Sequence, residues 1–188
     1  MTSKNKNGFT LIETLVAVLL LAITITGPLT IASKGLTATM VAKDQFIGFY
    51  LAQDAIEQVR FLRDSSCLAS GGGPTGCPSA SWLSGLGSCV STDGSASCYI
   101  DSVQGTVGAW ASCPTSSCIL NYDSGNKYFS YTSGSRSAQQ FIRIVKIQND
   151  PAGASPDEAV VTVEVNWSDR AGITRVPIKV RESIFRWQ

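Results

Sequence analysis

Histidine is absent from all 188 residues, and only 15% of the chain is charged. Without imidazole, the commonest general base near neutral pH and the commonest metal ligand are both missing. The formal net charge of +1 removes any overall pull toward nucleic acid or an anionic membrane. Serine is plentiful, but no Gly-x-Ser-x-Gly elbow exposes one as a nucleophile. Enzymatic activity and a bound cofactor are therefore not expected.

Charge is scarcest where the chain begins. Lys4-Asn5-Lys6-Asn7-Gly8 forms a short basic head, and between Phe9 and Ala32 the only charge is Glu13. A helix of roughly 20 residues, rising 1.5 Å per residue, crosses a hydrocarbon core of about 30 Å. The run Thr14–Ile23 and its continuation are long and apolar enough to do so. An ionised carboxylate inside such a span costs about 2.5–3.5 kcal/mol near the centre and less near the interface, so Glu13 needs compensation. Cleavage between Gly8 and Phe9 would create a cationic α-amine at the head of the helix. Within one chain that amine and Glu13 are about one turn apart, whereas staggered neighbours bring them together. The pair would neutralise two unfavourable charges and set the register of one helix on the next.

The segment Gly8-Phe9-Thr10-Leu11-Ile12-Glu13, behind its basic leader and ahead of the apolar run, resembles the class III signal of type IV pilins and type II secretion pseudopilins. That resemblance implies a leader, residues 1–8, removed by prepilin peptidase after Gly8. It also implies N-methylation of Phe9 and assembly through Phe9 and Glu13. A second stretch, Phe49–Arg60 followed by Leu62-Arg63-Asp64, looks like the helix end of minor pilins and pseudopilins, so a minor subunit is expected. The implied partners are other subunits along the N-terminal helix, prepilin peptidase, the inner-membrane assembly machinery, and membrane lipid before assembly. A plain signal anchor and a signal cleaved near Thr30-Ile31-Ala32 are the competing readings. The first leaves a signal-anchored extracytoplasmic binding module that never polymerises.

Downstream features agree with this topology. Lys4 and Lys6 place the N-terminus in the cytoplasm by the positive-inside rule, and the C-terminal domain outside, in a periplasmic or extracellular filament after assembly. The six cysteines, Cys67, Cys77, Cys89, Cys98, Cys113 and Cys118, all follow the span. An even number on the oxidising side reads as disulfides, and six cysteines allow 15 full pairings. The gap between Cys113 and Cys118 suits half a zinc site, but no second close pair and no histidine complete it.

Gly27-Pro28 predicts a kink or softened segment within a continuing helix. The resemblance links this segment to local melting on leaving the membrane, while packing in the membrane accounts for it equally well. Beyond Ser33, Leu36, Met40, Ile47, Leu51, Ala55, Val59 and Leu62 line one face, opposite Lys43, Gln45, Gln53 and Glu57. The amphipathic half is read as 34–64, with Glu57, Arg60 and Asp64 at pairing distance along it. Residues 65–137, rich in Ser, Gly, Thr and Cys, read as disulfide-held loops with short strands near Ser97–Val103 and Lys127–Thr132. Any surface for a partner or receptor is expected there. Residues 138–188 read as an antiparallel meander of Phe141–Gln148, Val160–Trp167 and Val176–Arg181, with Pro177 marking an edge. The fold class is α+β: a long N-terminal helix whose amphipathic half packs on a C-terminal sheet, the arrangement of the pilin fold.

Three weaker signals complete the reading. Asp93-Gly94 with Asp101, or Asp123 with Asn126, offer oxygen ligands, though turn chemistry explains them better than calcium. Asn166-Trp167-Ser168 has the form of a glycosylation sequon but falls in the strongest strand. Arg170, Arg175, Lys179, Arg181 and Arg186 make the C-terminal ribbon basic, which suits either DNA or an edge protected from unwanted pairing.

Overall fold

The computed structural model describes residues 8–72, 76–78, 82–113, 118–136, 139–150, 153 and 157–186. Leader residues 1–7, Gly73-Pro74 and the boundary at 137–138 lie outside the described residues. The chain divides into two compact units, Met1–Lys43 and Asp44–Gln188. One helix, α1 (Leu11–Ala69), supplies nearly all of the first unit and opens the second.

In the first unit the helix continues through Pro28. Pro28 has no N–H to give to the Thr24 carbonyl, so one rung of the ladder is missing there. The threonines bond locally instead. Thr14, Thr24 and Thr26 donate to the carbonyls of Leu11, Leu21 and Ile23, and Thr30, Thr37 and Thr39 to those of Thr26, Ser33 and Gly35, at 2.8–3.2 Å. A hydroxyl satisfied by its own helix carries no unpaired donor into lipid.

In the second unit the helix buries Asp44, Gly48, Leu51, Ala52, Ala55, Ile56, Val59 and Cys67. The stripe predicted at Leu51, Ala55 and Val59 is buried, whereas Leu36 and Met40 are exposed. The buried face is flatter than the spacing of large residues suggested, because alanine and glycine let the helix approach the sheet. A Cβ built on Gly48 would lie 2.6 Å from Ile178 Cδ1. The helix ends at Ala69, and Gly71 follows with φ +81°, the left-handed conformation that closes helices.

Eight strands among the described residues form the sheet. β1 is Val90–Ser91, β2 Cys98–Asp101, β3 Thr106–Ala109, β4 Ile119–Asp123, β5 Tyr128–Ser130, β6 Gln140–Asn149, β7 Glu158–Ser168 and β8 Ile178–Phe185. β6, β7 and β8 make the antiparallel meander, with Val145 opposite Val163 and Val163 opposite Val180. Along the other edge of β6, β4 pairs at Phe141 and Ile142, β2 at Val145, and β1, in parallel, at Ile147 and Gln148. The stretch expected to be mostly loop thus contributes three short strands to one flank of β6. β2 lies within the short strand expected near Ser97–Val103, while β1 and β4 were not expected, because backbone pairing needs no apolar periodicity in strands this short.

The core lies between the helix and the inward face of β6 and β7. Phe141, Val145, Ile147, Val161, Val163 and Val165 are buried there, with Trp167 stacked on Phe141 at 6.5 Å between ring centres. Each fully buried side chain of this kind contributes about 1.5–3 kcal/mol. Pro177 immediately precedes β8, and among the described residues β8 pairs only with β7, so the last strand is an edge.

Arg143 occupies an inward position between Phe141 and Val145 and is 1% exposed. It donates to the Leu51 carbonyl at 2.9 Å, the Asp54 carboxylate at 2.6 Å and the Ile100 carbonyl at 2.5 Å. One guanidinium therefore joins helix, β2 and β6. A second tie runs from Arg60 to Glu182 on β8, while Arg60 also holds Glu57 at 2.7 Å. The pairing of Arg60 with Asp64 expected from spacing gives way to this cross-link, and Asp64 pairs with Arg63 at 2.7 Å.

Candidate functional site

Gly8, Phe9 and Thr10 precede the first turn of α1 and are all exposed. Thr10 accepts the Glu13 amide on its hydroxyl at 3.4 Å and on its carbonyl at 3.1 Å. Thr10-Leu11-Ile12-Glu13 has the Thr-x-x-Glu spacing of a capping box, and Thr10 caps the helix. Spacing alone could have revealed Thr10, which the sequence reading left without a role. Glu13 stands in the first turn, where the exposed amides of the helix end favour negative charge by about 0.3–1 kcal/mol. That is smaller than the cost of placing an ionised carboxylate in hydrocarbon.

Gly8 does not have a positive φ, and a Cβ built on it meets nothing within 4 Å. Nothing in the described fold demands glycine at this position.

From Phe9 to Ile31 the large apolar side chains are exposed, Phe9 by 79% and Ile31 by 74%. The helix is long and apolar enough near its N-terminus to cross a membrane. Exposed apolar side chains recur in the second unit at Phe46, Phe49, Tyr50, Phe61 and Leu68. Beside them Ile47, Tyr50, Leu51, Asp54, Ser102, Val103, Tyr128 and Phe129 line an open groove of about 480 Å³. Asp54 at its wall accepts from Ser102 at 2.7 Å as well as from Arg143.

Two disulfides are present, Cys67–Cys77 with Cα atoms 5.2 Å apart and Cys89–Cys98 at 4.8 Å. Both separations lie within the usual range for bridged cysteines. Cys113 and Cys118 are half-buried, and the Cys118 thiol lies 3.6 Å from the Trp110 carbonyl oxygen.

The other candidate residues act within the fold. Asp93 accepts the Ser95 amide and hydroxyl at 3.0 and 2.7 Å, and these bonds hold its pKa at about 2. Asp101 accepts from Ser130, Tyr131, Val103 and Gln104, and so fastens the β2–β3 turn to β5. Asp123 accepts from Gly125 and Asn126 within its own turn, which lowers its pKa. Ser124 and Lys127, which have Ser-x-x-Lys spacing, are exposed on that same turn rather than converging in a buried site.

In the basic ribbon, Arg175 is paired with Asp169 at 2.5 Å and Arg186 with Asp157 at 2.6 Å. Lys179 and Arg181 are exposed on β8, with Lys179 opposite Glu164 on β7. Asn166 of the sequon lies within β7, opposite Ile142. Tyr131 is buried and donates to the Arg143 carbonyl at 2.9 Å, and burial raises its pKa.

The family model for the prokaryotic N-terminal methylation motif matches residues 3–27. No curated protein and no solved structure matches the chain. The match spans the basic head, Gly8, Phe9, the Thr10 cap, Glu13 and the exposed helix through Gly27, all in one piece. An α+β chain in which a long apolar helix leads to a disulfide-bonded antiparallel sheet thus begins with a type IV pilin-like prepilin signal.

Proposed function

We propose that this protein is a structural subunit, of the minor pilin or pseudopilin kind, cut between Gly8 and Phe9 and methylated on the new Phe9 amine. It assembles through its N-terminal helix into a type IV pilus or type II secretion-like filament. The observation that carries this reading is Glu13, a lone carboxylate one turn inside an exposed apolar helix under a methylation motif. In a bundle of staggered helices, the Phe9 amine of one copy meets Glu13 of its neighbour and neither charge stays unpaired in oil. The exposed stripe Phe46, Phe49, Tyr50, Phe61 and Leu68 extends the apolar contact beyond the membrane segment.

Glu13→Val tests the mechanism. Insertion and cleavage should persist, because the span becomes more apolar and the Gly8–Phe9 bond is untouched. Incorporation into filaments should fall at least about tenfold, the factor that 1.4 kcal/mol supplies. Normal incorporation of the variant would sink the charge-pairing mechanism. N-terminal sequencing of the mature wild-type protein must begin at N-methyl-Phe9. A start at Met1 or Thr2 would instead identify a signal-anchored module that does not polymerise.

A further inference from the structure

We propose that Cys113 and Cys118 are each other's disulfide partner, forming a third and more reducible clasp on the extracytoplasmic domain. The two cysteines converge on one atom. The Cys113 amide nitrogen lies 3.3 Å from the Trp110 carbonyl oxygen, and the Cys118 sulfur lies 3.6 Å from that same oxygen. The two contacts hold the Cys118 sulfur within about 7 Å of the Cys113 amide nitrogen. The other four cysteines are already committed to each other.

The bond forms by two exchanges with a disulfide-bonded dithiol donor on the oxidising side of the membrane. One cysteine thiolate attacks the donor disulfide, making a mixed disulfide and releasing one donor thiolate. The second cysteine thiolate then attacks the mixed disulfide, closing Cys113–Cys118 and releasing the other donor sulfur. The two cysteines lose two electrons and two protons, and the donor disulfide is reduced to a dithiol. The clasp ties the short 3-10 turn Trp110–Ser112, which follows β3, to the start of β4. Cys113 and Cys118 are half-buried, whereas Cys67, Cys77, Cys89 and Cys98 are 0–6% exposed, so an external thiol reaches the clasp first.

The test uses the full mature chain, extracted in detergent without reductant and alkylated with iodoacetamide before and after stepwise reduction. Intact mass should show no alkylation at first. Peptide mapping should then give Cys113 and Cys118 as a linked pair, the first two positions labelled as dithiothreitol is raised. Cys113→Ser should make Cys118 alkylatable in the unreduced protein, and Cys118→Ser should do the same for Cys113. Labelling of both cysteines in the unreduced wild type, or a bond from either one to another cysteine, would overturn the pairing. Opening of a buried pair before Cys113–Cys118 would overturn the claim of greater reducibility.

Discussion

Replacing Arg143 by methionine removes the one buried cation that joins the helix, β2 and β6 while keeping the aliphatic stem that packs between Phe141 and Val145. Three acceptors lose their donor: the Leu51 carbonyl, the Asp54 carboxylate and the Ile100 carbonyl. Asp54 keeps Ser102 and is 44% exposed, so water replaces the guanidinium there at little cost. Ile100 is fully buried, and water has no route to its carbonyl. Breaking a buried pair from one side costs about 3–5 kcal/mol, and the hydration of Asp54 places Arg143→Met at the lower end, about 3 kcal/mol. For a unit of this size that is a fall in Tm of roughly 6–12 °C. Asp54→Asn leaves the guanidinium buried with its carbonyl partners but no countercharge, and should cost at least as much, about 3–5 kcal/mol. The double variant should be less destabilised than the sum of the singles by about 0.5–3 kcal/mol. Thermal melts of the full chain in detergent, followed by tryptophan fluorescence, read the change through buried Trp82 and Trp167. A loss under about 0.5 kcal/mol for Arg143→Met, or strict additivity in the cycle, would refute the assignment of Arg143 as the tie between the layers.

Gly134 has φ +91°, and a Cβ there would sit 2.7 Å from the Tyr122 backbone, so Gly134→Ala should cost about 2–4 kcal/mol by the same melts. Gly105→Ala, at φ +64° with nothing within 4 Å, should cost only about 1–2 kcal/mol, and equal effects would contradict the close approach. Asp93, Asp157 and Asp169 have folded pKa values below the ordinary 3.8, through the Ser95 hydroxyl, the Arg186 guanidinium and the Ile173 amide respectively. Their contribution to stability is fully present above the unfolded value and is lost as pH falls, for Asp93 down through about 2. Melting temperature followed from pH 5 to pH 2 should therefore fall, and Asp157→Asn should flatten part of the decline; a rise on acidification would reverse the sign argued here.

The processing signal was legible in the sequence because its meaning is local: Gly8, Phe9 and Glu13 need only the apolar run behind them. The meander was equally open, since alternation at Val161, Val163, Val165 and Trp167 states which face is buried. Arg143 was not legible: it faces inward on β6, and its acceptors lie on residues 51, 54 and 100, far away in sequence. Arg60 shows the opposite error, in which a nearby Asp64 suggested a pair and the distant Glu182 took the contact. β2 falls within the strand expected near Ser97–Val103, whereas β1, β3 and β4 were not legible because strands of two to five residues leave little pattern to read. The Thr10 cap is legible from its three-residue spacing to Glu13, whose amide it accepts.

The flank of β6 opposite β7 is divided among three separate short pieces, and this division separates renewal from support. Each piece rests on its own few residues of β6, so a change in one loop need not travel to the next. The helix and the β6–β7–β8 ribbon can stay constant as the frame, while the cysteine-stapled segments are exchanged piecemeal. A foreign peptide grafted between β2 and β3 would be displayed without disturbing that frame.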